Sequence, residues 1–190
     1  MNKLALFLIE GFEDTEAIAT LDVIRRASKM FPNKIKSIDL IGIKNTEFVT
    51  GGWGTKVVPD KYLKDVNIDE YQGFIFPGGG LGVENLFKEE ILFAEIAEQY
   101  KKNKLVAAIC AAPQVLGKIG ILDNKKVTHY PGCTQYLDKA LLQSNTAAIR
   151  DGNIITGSSI GGAIAFGLEI IKFFLTSDEA KQIEKSLVIY

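Results

Sequence analysis

Residues 105–113, LVAAICAAP, decide the fold of this chain. Five apolar residues run up to Cys110, and an unbroken apolar run of this kind is typical of a strand covered on both faces. Pro113 follows in the first turn of a helix, where its missing N–H costs nothing. The segment therefore predicts a buried strand, a sharp turn at Cys110 and a helix directly after it.

The same alternation of apolar strands and amphipathic helices continues along the chain in both directions. Two hairpins are also expected, and the one over residues 48–58 should extend the sheet. Strands that alternate with helices favour an α/β fold, in which a mostly parallel sheet carries helices on both faces. The predicted strands are residues 4–9, 35–43, 74–76, 105–109 and 126–129, the other hairpin is 146–156, and the predicted helices are 13–28, 89–102, 112–118, 162–175 and 177–186.

Composition narrows the classes of function. Of the 190 residues, 47% are hydrophobic and 24% are charged, which fits one globular domain over residues 1–190. The 22 lysines and arginines nearly cancel the 23 acidic residues, so no broad basic surface indicates nucleic acid or an anionic membrane as a partner. Because no apolar run reaches the ~18 residues of a membrane span, we expect a cytoplasmic protein.

Ligands in folds of this kind bind at the carboxyl ends of the parallel strands. That edge is predicted to gather residues 10–16, 77–80, 110–113 and 128–131. Cys110 has a further advantage there, because a helix N-terminus stabilises a thiolate and lowers the thiol pKa below its usual value of ~8.5. A free cysteine is also a common small apolar core residue, and the residues alone leave both interpretations open.

Residues 77–82, PGGGLG, form a second candidate feature at this edge. Successive glycines leave backbone N–H groups unshielded, which suits an oxyanion or a carboxylate. The segment is not a phosphate-binding loop, since no Gly-Lys-Ser/Thr follows and Asn85 occupies the last position of a G-x-G-x-x-G pattern. A flexible turn is the alternative interpretation.

His129 is the only histidine, and Cys133 is the only cysteine besides Cys110. These three residues are too few for a disulfide framework or a structural zinc site, so we expect no metal. Any Cys-His or Ser-His mechanism would depend on His129, although a lone histidine is more often structural. Residues 157–161, GSSIG, match the serine elbow of hydrolases, but those enzymes place the histidine after the serine, so we expect a tight helix start instead.

Several motifs, in matching order and spacing, resemble the ThiJ/PfpI superfamily, and within it the branch of the parkinsonism-associated protein DJ-1. The resemblance runs essentially from end to end. It implies a flavodoxin-like three-layer sandwich, a class I glutamine-amidotransferase-like domain over residues 1–190, and a homodimer. Its carriers are EDTEA at 13–17, DVIRRA at 22–27, FPGGGLG at 76–82 with NL at 85–86, AAICAAP at 107–113, KVT at 126–128 before Pro131, and ITG at 155–157 before the helix with Phe166.

The resemblance also implies a site without a cofactor. The cysteine at Cys110 is the family's nucleophile and oxidation-prone thiol, and the glutamate at Glu16 is held protonated and hydrogen-bonds it. Backbone N–H groups at Gly78, Gly79 and Ala111 line an oxyanion site. A carboxylic acid beside a thiolate favours sharing one proton, so Glu16 and Cys110 should titrate as a coupled pair. Activities found in the family are glyoxalase, deglycation of methylglyoxal adducts, redox sensing and chaperone function.

The chain departs from the family's pattern near its histidine. The branch often has histidine immediately before the proline at Pro131, where this chain has Tyr130. One residue along a strand reverses the direction of a side chain, so we expect Tyr130 to face Cys110 and His129 to face away. Both stay candidates for a wall of the site.

Three other departures concern substrate contacts. The arginine often found at Ser158 and the glutamate often found at Ala165 are absent, which affects contacts with a substrate or an anion. Ala111 stands where protease-like relatives have a histidine after the cysteine, and this argues against a peptidase.

The leading hypothesis is a cofactor-free cysteine enzyme that acts on methylglyoxal-like α-oxoaldehydes or their glycated adducts. Cys110 would add to the aldehyde, Gly79 and Ala111 would hold the oxyanion, and Glu16 would move the proton. The alternative is a non-catalytic redox sensor or stress chaperone that responds to oxidation of Cys110. A cysteine amidohydrolase on the related glutaminase-like fold ranks last, because it needs a well-placed histidine and only His129 is present.

Overall fold

The computed structural model describes residues 1–189, which contain eleven strands and six α-helices. No helix among them has both the length and the apolar character that crossing a membrane requires. In chain order the strands are β1 (Asn2–Leu8), β2 (Ile35–Gly42), β3 (Val49–Thr50), β4 (Lys56–Val57), β5 (Lys61–Tyr62), β6 (Tyr71–Phe76), β7 (Leu105–Ile109), β8 (Lys126–Val127), β9 (Leu141–Leu142), β10 (Ala148–Asp151) and β11 (Ile154–Gly157). The helices are α1 (Asp14–Met30), α2 (Gly80–Leu86), α3 (Glu90–Lys101), α4 (Pro113–Ile119), α5 (Ala163–Lys172) and α6 (Ser177–Leu187).

A seven-stranded central sheet has the order β10-β11-β7-β6-β1-β2-β5. Neighbouring strands run parallel except for β10, which pairs with β11 as an antiparallel hairpin around Gly152. After β1 the chain builds outwards through β2 and then crosses to the other side of β1 to form β6. Such a reversal opens a crevice at the carboxyl ends of the strands, so the topology places the preferred ligand edge beyond β1 and β6.

Alternate residues of β1 supply two hydrophobic cores, one on each face of the sheet. Leu4, Leu6 and Leu8 pack with residues of α1, α5 and α6. Ala5 and Phe7 pack on the opposite face with residues of α2, α3 and α4. Because helices cover both faces, the strand has no polar alternation. The layers confirm the predicted flavodoxin-like α/β sandwich.

The predicted hairpin over residues 48–58 forms but does not extend the central sheet, so that part of the prediction is wrong. β3 and β4 pair with each other as a separate sheet, and β5 takes the edge position beside β2. The hairpin lies instead on the turn after β1. There the Gly11 N–H donates to the Thr50 carbonyl at 2.8 Å, and the Gly52 N–H donates to the Phe12 carbonyl at 2.8 Å.

The strand predicted over residues 126–129 is shorter and also lies outside the central sheet. It ends at Val127, as β8, and pairs with β9. The chain leaves the ladder at Thr128, whose N–H donates to the Thr156 hydroxyl at 2.9 Å instead of to another strand.

Helix α2 is an element that the sequence pattern does not predict, because Gly80 and Gly82 have low helix propensity. Close approach to the turn after β1 explains their presence. The Gly82 N–H donates to the Gly11 carbonyl at 3.0 Å, and a Cβ atom on Gly82 would lie 2.8 Å from that oxygen. Tertiary contact therefore decides this helix.

Candidate active site

Cys110 forms the turn between β7 and α4. Its φ is +66°, a left-handed conformation that non-glycine residues rarely adopt. The Cys110 N–H donates to the Gly157 carbonyl at 2.9 Å, and the Cys110 carbonyl accepts the Tyr130 N–H at 2.8 Å, so both peptide groups are fixed. The predicted sharp turn is confirmed. Ser159 has an extended backbone with φ of −173°, so the elbow conformation belongs to Cys110 and GSSIG is a helix start, as predicted.

Glu16 lies in the first turn of α1, and its surface is completely buried. The Gly78 N–H donates to Glu16 Oε2 at 2.8 Å. The carboxyl lies beside the Cys110 thiol, and each group shifts the pKa of the other. Glu16 Oε1 is buried and accepts no hydrogen bond from residues 1–189. A buried oxygen without a donor favours the protonated carboxyl, whose O–H is then available to the sulfur.

The glycine turn contacts both of these groups. A Cβ atom on Gly78 would lie 2.8 Å from Glu16 Oε2, so only glycine fits there. The N–H groups of Gly79 and Ala111 hydrogen-bond the sulfur of Cys110 and favour its thiolate. The Gly78 N–H is already taken by Glu16, and the predicted oxyanion role of Gly78 is therefore wrong for this conformation. The candidate oxyanion donors narrow to Gly79 and Ala111.

Gly11 belongs to the same site, although the sequence interpretation did not single it out. It has φ of +84°, and its carbonyl lies where a side chain of Gly79 would be. The neighbouring Glu13 N–H donates to the Gly78 carbonyl at 2.9 Å, so the turn after β1 supports the glycine turn directly. A glycine at the end of a buried strand is the signal that could have identified it.

Burial dominates the ionisation of the thiol–carboxyl pair. Burial raises the pKa of Glu16 to about 7, against hydrogen bonds from Cys110 and Gly78 that lower it. Burial and the negative charge of Glu16 raise the pKa of the Cys110 thiol, against the N–H groups of Gly79 and Ala111. The predicted lowering of the thiol pKa by the helix N-terminus is therefore wrong. Near neutral pH the pair carries one negative charge, and that charge disfavours ionisation of the other group.

Of residues 129 and 130, only Tyr130 hydrogen-bonds Cys110, and it does so through its backbone. The Tyr130 N–H binds the Cys110 carbonyl, while the Tyr130 side chain is 48% exposed. His129 Nδ1 lies 2.7 Å from the Tyr130 carbonyl oxygen. Among the described residues, neither ring hydrogen-bonds Cys110, so the hydrogen bonds of His129 give no support to a Cys-His dyad. That Tyr130 faces the thiol stays a prediction.

Both cysteines are free thiols, and burial raises the pKa of Cys133 as well. Within the part of the chain that the structure describes, no three His, Cys, Asp or Glu side chains are grouped to hold a metal ion. The two positions that lack the family's charged residues lie in different elements. Ser158 follows β11 beside Cys110, and Ala165 lies within α5.

Comparisons with known sequences match nearly the whole chain. Residues 2–173 match the model of the DJ-1/PfpI family. Protein dj-1beta of Drosophila melanogaster is 32% identical over 192 residues, which cover 100% of this chain and 98% of the fly protein. An uncharacterized protein of Methanocaldococcus jannaschii is 35% identical over 153 residues, which cover 79% of this chain and 74% of the archaeal protein.

Solved structures share the fold. Drosophila melanogaster DJ-1beta superposes with a TM-score of 0.90 at 28% identity, covering 100% of this chain and 98% of the fly chain. Oxidized DJ-1 of Toxoplasma gondii superposes with a TM-score of 0.87 at 27% identity, covering 99% of this chain and 98% of the other. These matches confirm the resemblance that the motifs indicate. The chain belongs to the DJ-1/PfpI family.

Proposed function

We propose that this protein is a cysteine-dependent, cofactor-free enzyme of the glyoxalase or deglycase type, acting on α-oxoaldehydes or their adducts. The observation that carries the proposal is the pair of buried Glu16 and half-buried Cys110, which shares one negative charge near neutral pH. A carboxylic acid and a thiol in contact can exchange a proton as the sulfur attacks.

The first step is addition of the Cys110 sulfur to the aldehyde carbon. A C–S bond forms, the carbonyl π bond breaks, and the oxygen becomes an alkoxide. The N–H groups of Gly79 and Ala111, which already hydrogen-bond the sulfur, lie where they can donate to this oxygen. As the sulfur attacks, the thiol gives its proton to the Glu16 carboxylate, which then delivers it to the alkoxide and completes the hemithioacetal.

The second step is an internal redox exchange that needs no external oxidant. The Glu16 carboxylate removes the proton from the former aldehyde carbon and returns it to the adjacent carbonyl carbon. The hydroxyl proton of the hemithioacetal passes to the neighbouring oxygen, so the aldehyde carbon is oxidised to a thioester and its neighbour is reduced to an alcohol. Water then hydrolyses the thioester, releases a 2-hydroxy acid and restores the Cys110 thiol.

The test is consumption of methylglyoxal and formation of lactate by purified protein. Cys110→Ser and Glu16→Gln should each abolish turnover, whereas Cys133→Ser, which removes the other free thiol, should retain it. Turnover by Cys110→Ser equal to that of the wild type would exclude this mechanism. Failure of the wild type to consume any α-oxoaldehyde would exclude the enzyme class.

The second candidate function is redox sensing through Cys110. Glu16 Oε1 is buried without a hydrogen-bond partner among residues 1–189, and the carboxyl lies beside the Cys110 thiol, so a protonated Glu16 is available to donate to an oxygen added to that sulfur. The relative from Toxoplasma gondii has been solved in an oxidized form, which is consistent with such chemistry in this fold. Selective oxidation of Cys110 without aldehyde turnover would favour this function.

We also propose that two copies of the chain form a homodimer. Three apolar residues are exposed on α1, just before α5 and in the first turn of α5, namely Ile18 at 42%, Ile160 at 55% and Ile164 at 45%. Burying them between two copies would stabilise the assembly. Light scattering on the purified protein measures its mass in solution, and a monomer would contradict the proposal.

For the compartment we propose the cytoplasm. Cys110 and Cys133 are both unpaired, and free thiols persist in a reducing environment. Fractionation of cells that express the protein from its own promoter tests this placement.

A further inference from the structure

A cleft of mixed polar and apolar lining at the end of β11 takes no part in the chemistry proposed above. It has a volume of about 500 Å³ and lies along β11, on the side of β7 away from β6. It is lined by Thr128, His129 and Pro131, by Ser158 and Ser159, and by residues 142–147.

Two residues that adjoin the lining of the cleft are hydrogen-bonded to the backbone of Cys110. The Cys110 carbonyl accepts the N–H of Tyr130, the residue after His129, at 2.8 Å. The Cys110 N–H donates at 2.9 Å to the carbonyl of Gly157, the residue before Ser158. The cleft therefore adjoins the backbone of Cys110 on the β11 side, whereas the glycine turn follows β6 on the other side.

The lack of charged side chains in the cleft disfavours anionic ligands. No Asp, Glu, Lys or Arg lines it in the described chain, and His129 is its one ionisable side chain. A carboxylate or phosphate would lose its hydration there without meeting a fixed cation, which costs free energy.

Side chains without hydrogen-bond partners indicate which class of ligand fits the cleft. The side chains of Ser144, Asn145, Ser158 and Ser159 line the cleft and hydrogen-bond no other residue within 1–189. The Tyr130 carbonyl can only accept, so His129 Nδ1 carries the proton of the neutral ring and Nε2 is left as an acceptor. Hydroxyl and amide groups that donate and accept, together with a ring acceptor, match the hydroxyl groups of a neutral polyol.

We propose that this cleft binds the hydroxyl-bearing part of the substrate, so that the preferred substrates are neutral sugar-derived α-oxoaldehydes. The reaction itself rests on the proposed function of Cys110, whereas the binding of polyols does not. The two are therefore tested separately.

Binding is tested with xylitol, a polyol that cannot react with a thiol, and with inorganic phosphate as the anionic probe. Because the chain has one histidine, the Cε1–H resonance of His129 is an unambiguous reporter. Xylitol should shift it saturably at constant pH, and phosphate should not. Ser158→Leu, which fills the cleft, should remove the shift. Ser28→Ala should keep it, because that hydroxyl lies near the far end of α1 and donates to the Lys36 carbonyl.

No xylitol shift, a shift that survives in Ser158→Leu, or an equal response to phosphate would each overturn the inference. Kinetics add a second readout, the ratio of kcat/KM for 3-deoxyglucosone to kcat/KM for methylglyoxal. Ser158→Leu should lower this ratio about tenfold, the effect of losing one or two neutral hydrogen bonds, and Ser28→Ala should leave it unchanged. An unchanged ratio in Ser158→Leu would contradict the cleft inference alone. Absence of all turnover would contradict the proposed function, and the xylitol result would still decide the cleft.

Discussion

A Cβ atom on Gly78 would lie only 2.6 Å from the Cβ of Cys110. No side chain fits at that distance without a shift of the backbone. The N–H of Gly78 also holds Glu16 Oε2 at 2.8 Å. One residue without a side chain therefore sets the separation between the thiol and the carboxyl that act as a pair.

Gly78→Ala should disable the site. The added methyl group pushes Cys110 and Glu16 apart, and overpacking of this kind costs about 1–3 kcal/mol in the free energy of unfolding. Loss of methylglyoxal turnover and a lower midpoint of denaturant unfolding are the expected results. Gly80→Ala is the matched control, because a Cβ atom there meets nothing within 4 Å. Equal activity of the two variants would contradict the role assigned to Gly78.

Glu16→Gln should remove a pH dependence of stability. Burial raises the pKa of Glu16 from 4.5 to about 7, so the folded state binds this proton more tightly than the unfolded state. The resulting stability is complete below about pH 4.5 and is lost as the pH rises through about 7. Relative to the variant, the wild type should lose about 3 kcal/mol in its free energy of unfolding between about pH 4.5 and about pH 8.

The Cys110 thiol is coupled to this carboxyl, so the comparison of wild type with Glu16→Gln needs a control that lacks the thiol. Denaturant unfolding of Cys110→Ser, with and without Glu16→Gln, isolates the carboxyl. The difference between each pair of proteins should change with pH in the same direction in both backgrounds. Parallel pH profiles for wild type and Glu16→Gln would show that folding does not raise the pKa of this carboxyl.

Mild peroxide should oxidise Cys110 in preference to Cys133. Two equivalents of peroxide each transfer one oxygen atom to the sulfur and leave as water, which gives a sulfinate through a sulfenic acid. The N–H groups of Gly79 and Ala111 and the O–H of Glu16 can stabilise that sulfinate, whereas Cys133 has no such neighbours in the hydrogen bonds of residues 1–189. Intact mass and peptide mapping identify the oxidised residue. Equal oxidation of both thiols, or unchanged selectivity in Glu16→Gln, would contradict this role.

The buried parts of the fold are those that the sequence predicts well. β1 and β7 are covered on both faces, and their apolar runs follow directly from that environment. The short strand β9 is exposed and carries no such signal, and β8 is predicted within residues 126–129 but ends at Val127. The hairpin of β3 and β4 is visible as a hairpin, but its place in the molecule depends on hydrogen bonds to Gly11 and Phe12, which are distant in sequence.

The candidate site is predictable to a similar degree. The turn at Cys110 and the glycine segment follow from strand ends and glycine content, and the pairing with Glu16 was implied by resemblance. The pKa of Cys110 was predicted in the wrong direction, because a helix start is visible in the sequence while burial is not. The engaged N–H of Gly78 depends on a contact across 62 residues, which no local pattern shows.

Asp14, in the first turn of α1, holds the loop between β3 and β4 through both of its carboxylate oxygens. Asp14 Oδ2 accepts the Trp53 N–H at 3.0 Å, and Asp14 Oδ1 accepts the Thr55 N–H at 2.9 Å. The Trp53 ring is 82% exposed, and its Nε1–H donates to Glu13 Oε2 at 3.1 Å. Since the Glu13 N–H supports the Gly78 carbonyl, the hairpin braces the turn that carries the candidate site.

Asp14→Ala should release this hairpin. Both backbone N–H groups lose a charged acceptor, and we expect a loss of about 2 kcal/mol in the free energy of unfolding. Trp53 is the only tryptophan, so its fluorescence anisotropy reports the motion of the hairpin and should fall.

Asp22→Ala is the matched control, because on the same helix it removes only a surface ion pair with Arg26, which contributes about 0–1 kcal/mol. If the hairpin braces the site, methylglyoxal turnover falls together with the anisotropy in Asp14→Ala, and both stay unchanged in Asp22→Ala. Reduced anisotropy with full turnover would show that the hairpin is attached to the site without supporting it.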